Sequence, residues 1–208
     1  MIVIQKYFPG LTKDQIFSFE KMIPLYHAWN KETSIISRKE MDSLYENYIL
    51  HSLAIAKIVS FSPGSKILDV GTGAGFPGIP LAIMFPACHF VLIDSIKKRI
   101  KVVNAIAEEL ALDNVTAMVS RVEDLYDQFD FVVARAVTSF PAFVGLVDKN
   151  ISQRRQNNLP NGIVYLKAGD FQEEIQSFKP VVVVSEITKF FNEPFFNTKK
   201  VVYLPVIK

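Results

Sequence analysis

The chain has 208 residues, 50% of them apolar and 21% charged, with a formal net charge of +2 at pH 7, a balance that excludes intrinsic disorder, collagen and coiled coil as overall classes. On the usual ~150 residues per domain, one domain with an extension fits better than two. Cys88 is the only cysteine, so an internal disulfide and a cysteine-built metal site are excluded. The opening MIVIQKYFPG has no signal-peptide pattern, no run approaches ~18 unbroken apolar residues, and a cytoplasmic protein without membrane contact is expected.

The N-terminal third reads as helical. Thr12 and Gln15 have capping-box spacing, with Leu11 and Ile16 placed as a hydrophobic staple. Ile16, Phe19, Ile23 and Tyr26 then recur at helical spacing, with Met22 and Trp29 widening the stripe. Pro24 is expected to kink or divide this helix. Further helical stretches are predicted from Lys39 to Leu50 and from Ser52 to Ser60. The punctuation Ser62-Pro63-Gly64-Ser65 divides a helical extension (1–62) from the main unit (63–208).

From Lys66 the texture changes. Short β-branched runs at Ile67–Val70, Phe90–Ile93, Val115–Val119, Phe131–Ala134 and Ile163–Leu166 alternate with helices predicted at Gly78–Phe85 and Lys97–Ala111. Two apolar runs, Val181–Ile187 and Val201–Ile207, look like a terminal antiparallel pair added to a parallel sheet. The polar stretch Asn150–Asn161 reads as a loop. Strands alternating with helices point to an α/β fold with a mostly parallel sheet covered on both faces.

Gly71-Thr72-Gly73-Ala74-Gly75 lies between a strand and a helix, where glycine lets the backbone approach a ligand. Gly73, Gly75 and Gly78 also satisfy the dinucleotide pattern G-x-G-x-x-G, but that match begins about three residues past the strand. Asp69 places a carboxylate just before the turn, which repels a pyrophosphate and suits a cationic ligand. Pro77 and Pro80 remove N–H donors from the first helical turn and weaken it as a phosphate cradle. S-adenosylmethionine therefore fits better than NAD. Asp94, with Ser95 beside it, ends the second strand and can accept ribose hydroxyls of either cofactor, or cap the next helix. Ser120-Arg121-Val122-Glu123 follows the third strand, Arg135 the fourth and Lys167 the fifth. This is the sheet edge where open α/β folds bind ligands. His27, His51 and His89 show no ligand spacing, so no metal is expected, and Cys88 reads as a small buried residue.

The segments ILDVGTGAGFPGIPLAI from Ile67, LIDSIKKRI from Leu92, SRVED from Ser120 and FDFVVARA from Phe129, with Tyr26…Trp29-Asn30-Lys31 and His51-Ser52-Leu53, closely resemble the RsmG (GidB) family. That family comprises bacterial small-subunit ribosomal RNA methyltransferases acting on guanine N7 with S-adenosylmethionine. The resemblance implies a class I methyltransferase fold: a seven-stranded, mostly parallel sheet with an antiparallel last strand and an N-terminal helical cap. It implies cofactor contacts at Gly71, Phe76, Val122, Glu123 and Arg135. With the residues read above, the expected cofactor set is Asp69, Gly71, Gly73, Phe76, Asp94, Ser95, Val122, Glu123 and Arg135, with Arg135 and Lys167 lining the reaction site. The chain departs from the family pattern at Ser34-Ile35-Ile36, where many members have Asn-Leu-Thr, and at Tyr48-Ile49-Leu50-His51-Ser52, where many have His-x-x-Asp-Ser.

Guanine N7 presents a lone pair and no proton, so its methylation needs no general base. In agreement, the fourth strand is followed by Arg135-Ala136-Val137 rather than by an Asn/Asp-Pro-Pro-aromatic segment suited to exocyclic amines. Lys97, Lys98, Arg99 and Lys101 crowd a helix start against its dipole. Arg38, Lys98 and Arg99 are the expected contacts to RNA phosphates, with naked small-subunit RNA or the assembled subunit as partner and the chain a monomer. Two rivals stay open on sequence alone: an NAD-dependent oxidoreductase and a nucleotide-sensing regulator without catalysis.

Overall fold

The computed structural model describes residues 2–206. Its strands are β1 (Lys66–Val70), β2 (His89–Asp94), β3 (Val115–Val119), β4 (Phe131–Arg135), β5 (Gly162–Ala168), β6 (Val183–Glu186) and β7 (Lys199–Pro205). They form one sheet in the order β3-β2-β1-β4-β5-β7-β6. The first five are parallel, while β7 runs antiparallel to both β5 and β6. The helices are α1 (Ile2–Tyr7), α2 (Lys13–Thr33), α3 (Arg38–Met41), α4 (His51–Leu53), α5 (Gly78–Met84), α6 (Lys97–Glu109), α7 (Phe140–Val147) and α8 (Gln172–Ile175).

The central strands are apolar at nearly every position because helices cover both sheet faces. Alternation sends Ile67, Leu92, Val133 and Leu166 to one side, into a core shared with Phe19, Met22 and Tyr26 of α2 and with residues of α5 and α6. Leu68, Ile93, Val132 and Tyr165 point the other way, onto Phe140, Phe143 and Val147 of α7 and Ile175 of α8. The chain winds outward through β2 and β3, then returns to lay β4 on the other side of β1. That reversal opens a crevice at the carboxyl ends of β1 and β4.

The capping box forms as expected: Gln15 N donates to Thr12 Oγ1 at 3.2 Å, and Thr12 N to Gln15 Oε1 at 2.9 Å. The Gln15 amide also donates to the carbonyls of Ile83 and Met84, tying α2 to the end of α5. The expected division at Pro24 does not occur, since α2 runs unbroken from Lys13 to Thr33. Pro24 and Glu20, whose carbonyl loses its helical donor, are both exposed, so water can serve that carbonyl.

The single helix expected from Lys39 to Leu50 is also corrected. Ser37 caps the short α3, and a π-helical turn, Tyr45–Leu50, leads into α4. Wide turns of this kind concentrate at functional sites, and here the Asn47 carbonyl accepts a hydrogen bond from Arg135. The strand expected to reach Ile207 ends at Pro205, and Ile207 itself lies outside the described residues. Helix α7 is unanticipated by periodicity. Among the described residues no helix is long and apolar enough to cross a membrane, and no group of three or more His, Cys, Asp or Glu is placed to hold a metal ion.

Candidate cofactor cleft and adjoining cavity

The turn after β1 is held by hydrogen bonds within itself and to the end of β2. Gly71 and Gly73 adopt φ of +67° and +60°, a region that side chains strain to enter. Thr72 N donates to the Ile93 carbonyl, and Gly75 N and Phe76 N both donate to the Thr72 carbonyl, each at 2.9 Å. Asp69 lies beneath with no solvent exposure. Its Oδ2 accepts from Thr72 Oγ1 at 2.6 Å and from Gly78 N at 2.8 Å, while Oδ1 is buried with no partner. Burial pushes the Asp69 carboxyl up to about 7, against the pull of those two donors. A Cβ on Gly78 would lie 2.6 Å from Leu92 Cγ and 2.7 Å from Asp69 Oδ2, so this close approach requires glycine.

Asp94 ends β2 and is 4% exposed. Its Oδ2 accepts from Gly73 N at 3.0 Å and from Arg99 Nη1 at 3.2 Å, and its Oδ1 from Ile96 N at 2.9 Å. The carboxylate thus ties the glycine turn to the start of α6. The N–H groups of Gly73, Gly75 and Gly78 are all committed inside the chain, and none is left to cradle a pyrophosphate. This tells against the dinucleotide reading of the three glycines.

A cleft of about 330 Å³ opens over the carboxyl ends of β1–β4. Of the residues expected to meet a cofactor, it brings together Gly71, Asp94, Ser95, Val122, Glu123 and Arg135. Asp69, Gly73 and Phe76 do not line it. Phe76 is buried behind the turn, with its ring 5.0 Å from that of Tyr26 and 5.1 Å from that of Tyr48. Tyr26 reaches the same turn from α2, donating from its hydroxyl to the Ala74 carbonyl at 2.6 Å. These residues hold the cleft from outside it.

Arg135 and Ala136 form the wall between this cleft and a second cavity of about 430 Å³. The guanidinium lies 4.1 Å from the centre of the Tyr48 ring and 5.7 Å from that of Phe76, and Nη1 donates to the Asn47 carbonyl at 3.1 Å. Its burial pulls the pKa down, opposed by Tyr48 and Asp69. Ala136 has φ of +51°, the left-handed region without the relief of glycine. The bend after it is held by Tyr165, whose hydroxyl accepts from Val137 N at 2.7 Å and Thr138 N at 3.0 Å and donates to the Thr138 carbonyl at 2.9 Å.

The second cavity is lined by Glu40, Tyr48, His51, Lys167, Phe195 and Lys199, among others. Lys167, expected at the reaction site, lies here and pairs with Glu174. His51, which the sequence offers only as a structural residue, is 4% exposed. Neither ring nitrogen makes a hydrogen bond of normal geometry; the Asn47 carbonyl exerts only a weak pull toward the charged form. Burial, with Arg135 and Lys199 adding to it, brings the imidazole down to about 3, so it is neutral. Of the expected RNA contacts, Arg99 is on the rim of the first cleft, Lys98 is exposed on α6, and Arg38 lies apart in a depression with His27 and Asn30. No local sequence signal marks Tyr48, Tyr165 or Phe195 for this region, because they converge from separate stretches of chain.

Residues 15–201 match the family described as rRNA small subunit methyltransferase G. A ribosomal RNA small subunit methyltransferase G from Christiangramia forsetii is 52% identical over 204 residues, covering 98% of this chain and 96% of that one. One from Flavobacterium psychrophilum is 53% identical over 203 residues, covering 98% and 97%. Among solved structures, a SAM-dependent O-methyltransferase from Thermotoga maritima is similar with a TM-score of 0.60 at 13% identity, over 81% of this chain and 71% of that one, a likeness of fold. With the glycine turn, the strand order and the cleft all in place, the chain belongs to the rRNA small subunit methyltransferase G family.

Proposed function

We propose that this chain transfers a methyl group from S-adenosylmethionine to N7 of a guanine in small-subunit ribosomal RNA. S-adenosylmethionine supplies an electrophilic methyl group on a sulfonium. In the cleft, Asp94 and Ser95 take the ribose hydroxyls. Val122 and Glu123 face the adenine, Val122 by apolar contact. Gly71 gives bare backbone beside the amino-acid end, since a Cβ there would stand 2.9 Å from Val137 Cγ2 and narrow the cleft. Asp69 acts from beneath through its field, Gly73 by holding Asp94, and Phe76 by bracing the turn. Residues 1–62 serve as the cap and 63–208 as the methyltransferase core, and the chain acts as a monomer.

The chemistry asks little of acids and bases. The N7 lone pair forms the new C–N bond as the C–S bond breaks, and the bonding pair stays on sulfur. Positive charge moves from sulfur to the base and no proton leaves. The protein's contribution is then alignment, for which positioned reactants can lower a barrier by roughly 7–11 kcal/mol at best. Arg135 is the residue best placed to align, because an Arg donating to guanine O6 engages the edge that also carries N7. Lys167, neutralised by Glu174, adds a donor on the same side. Lys98, Arg99 and Arg38 contact RNA phosphates.

The observation that carries this reading is that the cleft lined by Gly71, Asp94 and Glu123 shares a wall, Arg135–Ala136, with a second cavity. The test is labelled methyl transfer to small subunits from a strain lacking the enzyme, with the product base identified by mass spectrometry. Appearance of 7-methylguanine is expected. S-adenosylmethionine binding with no transfer to any ribosomal RNA favours the regulator, and NAD binding in its place favours the oxidoreductase.

A further inference from the structure

We infer that the cavity on the far side of Arg135 receives the target guanine after it has swung out of its strand, with His51 as a positioning residue in its wall. This rests on the guanine-N7 reading above and assigns the acceptor site within it. A base inside a folded RNA cannot bring its ring nitrogen to a methyl donor recessed at a sheet edge, so the nucleotide must leave its stack and enter a pocket. Such a pocket must touch the cofactor cleft, and this cavity does so through the wall they share, Arg135 and Ala136.

Its lining suits a purine of one kind. Tyr48 and Phe195 line it with aromatic rings, each with a cation over one face (Arg135 at 4.1 Å, Lys199 at 4.8 Å), so a base stacks on the other face while Lys199 serves the flanking phosphate. Glu40 offers a carboxylate held in place by Ser37 Oγ at 2.7 Å and by the Tyr48 hydroxyl, with lone pairs left to accept from a base edge. Guanine presents N1–H and the N2 amine along one edge, both donors that a carboxylate accepts. Adenine presents an acceptor at N1 in the same place. With that edge toward Glu40, the opposite edge with O6 and N7 turns toward Arg135.

His51 supplies the independent sign of a ligand. A buried polar side chain short of hydrogen bonds is uncommon, and at the wall of this cavity His51 has no hydrogen bond of normal geometry at either ring nitrogen, only the weak pull of the Asn47 carbonyl. A neutral imidazole carries one donor and one acceptor, so it can serve a base or ribose without adding charge beside Arg135 and Lys199. Its ring stands edge-on to Phe195 at 5.5 Å and Phe196 at 6.1 Å, which fixes its plane.

The test uses the full chain in two measurements. With S-adenosylhomocysteine bound, guanosine monophosphate is titrated while the ring nitrogen resonances of His51 are followed by NMR; adenosine monophosphate is the control. In parallel, His51→Phe and His51→Gln are compared for S-adenosylmethionine affinity and for kcat and KM on unmethylated small subunits. Guanosine monophosphate should shift the His51 resonances more than the adenosine nucleotide does. His51→Phe should keep cofactor affinity and lose kcat by on the order of 10²-fold, the scale of a misplaced reactant, with His51→Gln recovering part of it. The inference fails if His51→Phe turns over at the parent rate, or if both nucleotides leave His51 unmoved while the protein methylates guanine. It also fails if His51→Phe loses cofactor binding and His51→Gln behaves identically, which marks a structural residue. Methylation of a base other than guanine overturns the parent reading instead, and the product analysis identifies that case separately.

Discussion

The two sides of the Arg135–Ala136 wall are built on opposite principles. On the side of the glycine turn, the N–H groups of Thr72, Gly73, Gly75, Phe76 and Gly78 and both oxygens of Asp94 have partners inside the chain, with Asp69 Oδ1 the exception. On the other side His51 has no hydrogen bond of normal geometry, Arg135 rests on two aromatic rings, and Ala136 holds a left-handed backbone. A small molecule that arrives in one shape is met by a preorganised surface. The function proposed above sets a nucleotide pulled from its own structure against groups, His51 foremost, with hydrogen-bonding capacity still to fill. On that reading, changes on the first side should act on stability and changes on the second on turnover.

The largest effect expected from that contrast is at Gly78. In Gly78→Ala the new methyl group must displace Leu92 or the Asp69 carboxylate, at 2.6 and 2.7 Å. Overpacking of this kind costs about 1–3 kcal/mol, or roughly 2–12 °C in Tm for a chain of this size. Because Asp69 also holds Thr72, cofactor affinity should fall in the same variant. Calorimetry and thermal melting read both effects, and an unchanged Tm would break the claim that this side is saturated and rigid.

Arg135→Lys comes next and tests the wall itself. Charge is retained, but the planar group that lies over Tyr48 and donates to the Asn47 carbonyl is lost. Methyl transfer should fall by on the order of 10²-fold with a smaller change in Tm than at Gly78. Equal losses of Tm in the two variants would erase the distinction between the sides.

What could be read from sequence follows the same line. The turn was legible because Gly71, Gly73 and Gly75 lie between a readable strand and helix; that Asp69 is spent on Thr72 and Gly78 beneath it was not. Strand ends located Asp94, Val122, Arg135 and Lys167 because parallel strands deliver their carboxyl ends to one edge. The far cavity was not legible. Tyr48 and His51 belong to a π-helical turn and the short helix after it, Glu174 meets Lys167 from a short helix, and Phe195 arrives from beyond β6. Apolar periodicity in that region describes core packing well and says nothing of an unpaired imidazole. Pro24 misled for a related reason: its cost depends on whether the freed carbonyl meets water, which only the packed helix decides.

A pH experiment sharpens the cofactor side. The Asp69 carboxyl, raised by burial to about 7, keeps its proton in the folded chain across a range where the unfolded chain has lost it. Without ligand, its contribution to stability is therefore full below the ordinary carboxylate range and declines as pH rises toward 7. A cationic ligand over the turn favours the ionised form, so binding should release a proton. S-adenosylmethionine affinity should rise several-fold between pH 6 and 8, and Asp69→Asn should flatten that rise. Isothermal titration in buffers of differing ionisation heat measures the released proton, and its absence would detach Asp69 from cofactor binding.

The smallest effect is expected at the rim, and there the two neighbours Lys98 and Arg99 should part company. Arg99 is tied to Asp94 at 3.2 Å, so Arg99→Glu places a repulsive charge against the carboxylate that holds the glycine turn and should weaken cofactor binding as well as RNA binding. Lys98 is exposed on α6 with no such tie among the described contacts. A single phosphate contact changes the slope of log K against log salt by about 0.7–0.9. Lys98→Glu should therefore flatten the salt dependence of RNA binding by about that amount and leave S-adenosylmethionine affinity as it was. If the slope does not move, Lys98 is ordinary surface charge and the RNA path across α6 is carried by Arg99 or not at all; if cofactor affinity falls too, the saturated side extends one residue further than Asp94's ion pair marks it.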